Sequence, residues 1–339
     1  MFLPCTEHCY RKRNSDENEV INEAGTLYFH KEYVKAIELL NTFIQKYPQR
    51  MLARASLAII FIGKGDFEDA VAECNKMLEI DAFNAIAFRT RGDAYLELKK
   101  YDDAIKDYST VLYLDKNDQH VYNQRGFAYL NTGKYEEAIS DLTEAIRLKI
   151  EAGKTAAQEY ETRSIAYFSQ NEYEKALEDI SCAILQNPRK ILLYKNRGAL
   201  YNRFGQYEQA VADYTTTIQL APNYAEGYVY RAMTYSFMHE YKKAIKDCNK
   251  AIKLDGTSIF AYCHRAQAYY GLGKAKKAFA DCTKAIELDP QNAFAYKTRG
   301  SLYILAGNKQ AALDDLYKSQ QLNFNDREVH ALMMQAQAL

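Results

Sequence analysis

Apolar side chains recur along this chain at helical spacing, in runs of about a dozen residues broken by short polar interruptions. In the stretch opening at Ala85, Phe88, Ala94 and Tyr95 share one helical face up to Leu98. Lys99-Lys100 interrupts, and Ile105, Tyr108 and Leu112 continue the pattern between Tyr101 and Tyr113. The spacing predicts two helices joined by a tight turn, and the same pattern returns along nearly the whole sequence.

Its period is 34 residues. Alanine marks it at Ala36, Ala70, Ala104 and Ala138 and, after one step of 38, at Ala176, Ala210, Ala244, Ala278 and Ala312. Nine repeats in this phase occupy 17–326, starting near 17, 51, 85, 119, 157, 191, 225, 259 and 293. The four extra residues fall near Ile150-Glu151-Ala152-Gly153-Lys154. Counting positions from each start, position 8 is small (Gly92, Gly126, Ser164, Gly198, Ala232, Ala266, Gly300) and position 11 is tyrosine from Tyr95 to Tyr303. Position 17 is Tyr or Phe from Tyr33 to Tyr241, and position 32 holds Pro48, Pro188, Pro222 and Pro290. Glycine closes the first helix of several repeats, where a left-handed residue is wanted, and proline stops the second. Small residues at positions 8 and 20 are expected where paired helices approach most closely, since larger ones overpack at about 1–3 kcal/mol each. One hairpin cannot bury its own apolar faces, so the repeats must stack into a continuous core.

The pattern resembles the tetratricopeptide repeat family over nearly all of the chain. That family carries an aromatic at position 4, a small residue at 8, Tyr at 11, Ala at 20 and often Pro at 32. Position 4, commonly tryptophan there, is here Phe88, Tyr122, Tyr160, Tyr194, Tyr228, Tyr262 and Tyr296; Val20 and Arg54 hold it in the two most divergent repeats. The resemblance implies an all-α fold, a right-handed superhelical solenoid of helix-turn-helix repeats. Residues 1–16 are expected to form a flexible leader. Residues 327–339 are expected to form a C-terminal capping helix through the stripe Val329, Leu332, Met333 and Ala336.

A second regularity is ionic. Repeats three to nine carry arginine at position 7 (Arg91, Arg125, Arg163, Arg197, Arg231, Arg265, Arg299) and aspartate at position 23 (Asp107, Asp141, Asp179, Asp213, Asp247, Asp281, Asp315). Their co-occurrence predicts a structural Arg–Asp ladder, with at least four pairs within about 4 Å.

Composition narrows the function. Forty-four basic and 44 acidic side chains leave no net charge, which argues against nucleic-acid or anionic-membrane binding, both of which need a field of one sign. No stretch approaches the roughly 18 apolar residues of a membrane span. Met1-Phe2-Leu3-Pro4-Cys5 turns polar too soon for a secretory signal. Seven cysteines, scattered singly except Cys5 and Cys9, fit free thiols in a reducing cytoplasm.

Candidate chemistry is thin. Gly153-Lys154-Thr155 resembles the end of a phosphate loop, but Leu148 stands where its first glycine is needed. Cys5-Thr6-Glu7-His8-Cys9 offers three soft ligands in five residues with no second cluster to complete a tetrahedral metal site. Cys74, Cys248 and Cys282 share position 24 and are expected to be buried as small hydrophobes. No catalytic residue, metal or cofactor is expected.

The resemblance implies that the first helices line a concave surface, with ligands touching positions 2, 5, 6, 9, 12 and 13. The candidate partner-binding groove is then Arg89, Asp93, Asn123, Phe127, Glu161 and Phe168, followed by Lys195, Asn202, Tyr230, Met233, His264 and Tyr270. A carboxylate clamp of the co-chaperone type is absent: the sixth repeat has Lys195 at position 5 but Ala199 at position 9 where asparagine is needed, and Tyr230, Phe260 and His264 stand where amide and cations are needed. Aromatic and methionine side chains suit an apolar peptide or helix, or else pack on the neighbouring first helix. The expected function is a non-enzymatic protein–protein interaction scaffold or adaptor that binds peptide or helical segments. A regulatory or targeting subunit of an enzyme complex and an RNA-binding helical-repeat protein are the alternatives.

Overall fold

The computed structural model describes residues 6–339, with side chains from Asp16 onward. The chain divides into two compact units, the N-terminal one running to Asp179 and the C-terminal one starting at Ile180. The first contains α1 (Thr6–Phe29), α2 (Tyr33–Lys46), α3 (Met51–Lys64), α4 (Phe67–Ile80), α5 (Ala85–Glu97), α6 (Tyr101–Leu114), α7 (Gln119–Asn131), α8 (Tyr135–Glu151) and α9 (Ala157–Ser169). The division falls within α10 (Tyr173–Gln186). The second continues with α11 (Ile191–Arg203), α12 (Tyr207–Leu220), α13 (Ala225–Phe237), α14 (Tyr241–Leu254), α15 (Ile259–Gly271), α16 (Ala275–Leu288), α17 (Ala293–Leu305), α18 (Lys309–Leu322) and α19 (Arg327–Gln337). Among the described residues every regular element is a helix.

Local chemistry sets the helix ends. Asn84 Oδ1 accepts from Ala87 N at 2.9 Å, and Asp118 Oδ1 accepts from His120 N and Val121 N at 3.1 Å. These side chains satisfy amides that the first turns of α5 and α7 cannot pair internally. Each tight turn takes a left-handed residue, glycine at Gly205 (φ 69°) but lysine at Lys99 (φ 58°). A non-glycine residue there costs about 1–2 kcal/mol, so the hairpin geometry outweighs the local preference.

Within each unit a helix packs on its sequence neighbours, and an odd-numbered helix also packs on the next odd-numbered one, as α5 does on α7 and α13 on α15. Within each unit the odd helices therefore share one face, backed by the even helices, as in a helical-repeat solenoid. The nine position-20 alanines, Ala36 to Ala312, are fully buried. Positions 8 and 24 meet between the helices of a pair and are matched in size. A Cβ on Gly92 would come within 2.7 Å of the Tyr108 ring, and one on Gly198 within 2.8 Å of Tyr214. Where position 24 is cysteine, position 8 is alanine instead: Ala58 with Cys74, Ala232 with Cys248, Ala266 with Cys282. Ala24 with Leu40 departs from this matching. Burial pushes the Cys74 and Cys248 thiols up to about 12, so they stay protonated and unreactive at neutral pH.

At the C-terminal end, Val329, Met333 and Ala336 of α19 cover Ala312 and Leu316. Lys297 Nζ ties the same helix through Asp326 at 2.9 Å and Glu328 at 2.8 Å. Of the leader expected over 1–16, residues 1–5 lie outside the described residues, while α1 begins at Thr6. The Cys5, His8 and Cys9 side chains also lie outside them. The extra residues near Ile150 lengthen α8 to 17 residues, against 14 in α6, before a left-handed turn at Gly153.

Candidate functional site

The recurrent charges of the repeats are spent on each other. All seven position-7 arginines hold their position-23 aspartates through Nε and Nη2, with every contact at 2.7–2.9 Å. Nη1 reaches back to the preceding even helix: Arg91 to Asn75 (2.5 Å), Arg125 to Ser109 (3.0 Å), Arg163 to Thr143 (2.8 Å), Arg231 to Thr215 (3.0 Å). Rings at positions 4 and 11 flank the guanidinium in repeats three to eight, as Tyr122 and Tyr129 do at 5.9 and 5.6 Å from Arg125, and Tyr296 lies 5.9 Å from Arg299. Burial pushes the Asp107 and Asp141 carboxyls up against the pull of their arginines. In the second repeat Arg54 at position 4 substitutes, reaching Glu73 at 2.8 Å and the Pro48 carbonyl at 3.1 Å. Tyrosine stands at position 4 in most repeats, and the Tyr194 and Tyr228 hydroxyls there donate to the Pro188 and Pro222 carbonyls at 3.0 and 3.2 Å.

On the odd-helix face of the N-terminal unit the predicted residues are partly committed. Arg89 Nη1 lies 3.4 Å from Asp118 Oδ2. Asp93 accepts from the Tyr108 hydroxyl at 2.7 Å and sits 3.6 Å from His120 Nε2, which holds that imidazole above its usual value. Asn123 is buried and lines a polar cavity of about 340 Å³ with Gln119, Lys149 and Glu159. Glu161 is buried, whereas Phe127 and Phe168 stand exposed.

The C-terminal unit gathers more of them. A cavity of about 480 Å³ is walled by Val229, Tyr230, Met233, Ile259, Phe260, His264 and Phe294, with Glu226, Asp255 and Thr257 supplying polar groups. Tyr230 stacks on Tyr214 at 5.6 Å and 18°, and Lys195 Nζ lies 5.8 Å from its ring. Phe260 and Phe294 meet at 5.1 Å, and His264 lies 5.7 Å from Phe294. Burial lowers the His264 value, keeping the ring neutral, and its Nδ1 is 3.0 Å from Gln267 Oε1. With Nδ1–H donating there, the lone pair sits on Nε2. Asn202 is spent on Thr234 Oγ1 at 2.9 Å, and Tyr270 packs on Ala266, Cys282 and Leu302. Phe294 was not among the expected groove residues; it is position 2 of the ninth repeat, one repeat beyond the mapped groove.

Profiles of the tetratricopeptide repeat match residues 26–85, 119–151, 225–258 and 259–292, and one described as TPR repeat matches 92–133. The chain belongs to the tetratricopeptide repeat family. A tetratricopeptide repeat protein from Parabacteroides merdae is 20% identical with a TM-score of 0.65, over 75% of this chain and 98% of its own. The C-terminal part of a TPR repeat-containing protein from Cytophaga hutchinsonii is 19% identical with a TM-score of 0.54, over 73% of this chain and 99% of its own. At those identities the likeness shows the fold. A comparison with curated proteins gave no match.

A tetratricopeptide array is in general a scaffold for protein interaction, typically without catalysis. Among the described residues of this array, no helix is long and apolar enough to cross a membrane. No group of three His, Cys, Asp or Glu among them is placed to hold a metal ion.

Proposed function

We propose that this array is a non-enzymatic adaptor holding peptide or helical segments of partner proteins on its odd-helix faces. The cavity of the C-terminal unit would take one large apolar side chain from such a segment. The observation that carries this reading is the wall itself: Phe260, Phe294, Tyr230, Met233 and Val229 converge on one space around a neutral histidine. An aromatic side chain buries about 150–250 Å². At about 25 cal/mol per Å² that is roughly 4–6 kcal/mol before the costs of association. One anchor of that size supports only weak binding, so neighbouring positions of the same face must add to it.

Selection of displayed peptides against the full chain is expected to enrich sequences with Phe, Trp, Leu or Met at a fixed place. Phe260 is 53% exposed, so Phe260→Ala is expected to leave the fold intact and weaken a selected peptide about thirtyfold, as for truncating an interface anchor. Enrichment of acidic or basic peptides with no apolar anchor, or full affinity in the variant, would reject the reading.

A further inference from the structure

From the second repeat on, position 3 of the first helix is otherwise buried and held by a small or apolar residue, as at Ala53, Ala87, Val121, Leu193, Ala261 and Ala295; in the first repeat it is Glu19, which is exposed. In α9 that place is held by Glu159, which is 1% exposed. Burying a carboxylate costs several kcal/mol unless it is paired. The pairing comes from the lengthened end of α8, where Lys149 Nζ stands 2.7 Å from Glu159 Oε1. The pairing is incomplete. Both Glu159 oxygens and Gln119 Oε1 are buried and have no hydrogen-bond partner among the described residues; Oε1 has the Lys149 ammonium beside it as an ion pair, while Oε2 and Gln119 Oε1 face no cation at such a distance. An acceptor left so costs about 1–3 kcal/mol.

Both residues line the cavity of about 340 Å³, whose other walls are Asn123, Gln124, Lys154 and Gln158 with His120. The occupant must bring donors to two acceptors. A second ammonium would sit against Lys149, and a carboxylate would meet Glu159, so either charge is opposed by a neighbour. A neutral group with two N–H donors and one acceptor meets neither objection. We propose that this cavity is a second binding site, taking the primary carboxamide of a glutamine or asparagine side chain. Its two N–H groups donate to Glu159 Oε2 and Gln119 Oε1, and its carbonyl accepts from Lys154. The site shares no residue with the apolar cavity of the other unit, so the two readings stand or fall separately.

The test titrates N-acetylglutamine N-methylamide into the full ¹⁵N-labelled chain and follows backbone amide shifts. Saturable shifts are expected at Gln119, Gln158 and Glu159. The isosteric N-acetylglutamate and N-acetylmethionine N-methylamides are expected to bind at least about tenfold more weakly, because a site built on hydrogen bonds rejects analogues that lack them. K149M/E159L removes the charged pair together and is expected to abolish the response with helical circular dichroism unchanged. Gln119→Leu, which leaves the pair in place, is expected to weaken it about tenfold. Absence of saturable shifts, equal responses to the three compounds, or a response unaltered in both variants overturns the proposal.

Discussion

Replacing Tyr214 by cysteine is expected to destabilise the C-terminal unit by about 2–5 kcal/mol. Replacing Gly198 by alanine is expected to cost about 1–3 kcal/mol, while the double variant G198A/Y214C costs much less than their sum. Tyr214 is fully buried, and its ring lies within 2.8 Å of where a Cβ on Gly198 would stand. The first variant therefore opens a cavity and the second drives a methyl into a ring. Together they rebuild the alanine–cysteine pairing that Ala232 with Cys248 and Ala266 with Cys282 already use. Urea unfolding of the four proteins gives the coupling energy, expected at about 1–3 kcal/mol for groups in contact. Strictly additive losses would show that positions 8 and 24 are not matched. Tyr214 also supports the Tyr230 ring at the cavity wall. Its loss is expected to weaken binding of selected peptides even where the fold survives.

That matching explains which parts of the molecule the sequence exposes to a reader. Positions 8, 11 and 20 are legible because each repeat makes the same contacts with the next, so one geometric demand is written many times. The Arg–Asp pairing is legible for the same reason. Its third partner, at position 25, is not legible because it changes type while keeping its chemistry: Asn75, Ser109, Thr143 and Thr215 all offer an oxygen to the arginine of the following repeat. In the last repeat, with no arginine to follow, the place is Tyr317, which is exposed.

The binding surfaces were only half legible. Positions on the first helix name the face, but whether a side chain there is free depends on one-off pairings. Asp93 is held by Tyr108, Asn202 by Thr234, and Tyr270 belongs to the core. Glu159 is hard to read for the opposite reason, since it breaks the regularity in one repeat alone. Its signal was an acid in a column otherwise of Ala, Val, Leu and Gly after the first repeat.

Asp141→Ala is expected to cost about 3–5 kcal/mol, and R125M/D141L far less. Asp141 is 5% exposed, and Arg125 is sandwiched between Tyr122 and Tyr129. Removing the aspartate leaves a guanidinium with its Nε and Nη2 donors unmatched in a half-buried place. Removing both charges leaves apolar side chains among rings. The raised Asp141 value has the same origin, for desolvation outweighs the pull of Arg125 on that carboxyl. The pair is therefore expected to add less to stability than to specificity. Arg125 joins α8, through Asp141, to α6, through Ser109 Oγ at 3.0 Å, and so fixes the register between successive repeats. Stability in a stacked array is a sum of repeat and interface terms. The charge-free double variant should accordingly keep its urea midpoint while α6 to α8 lose hydrogen-exchange protection. A full-strength loss in that double variant would mean that the pair itself supplies the stability. A loss below about 1 kcal/mol in Asp141→Ala would mean that solvent screens the pair as it does a surface bridge.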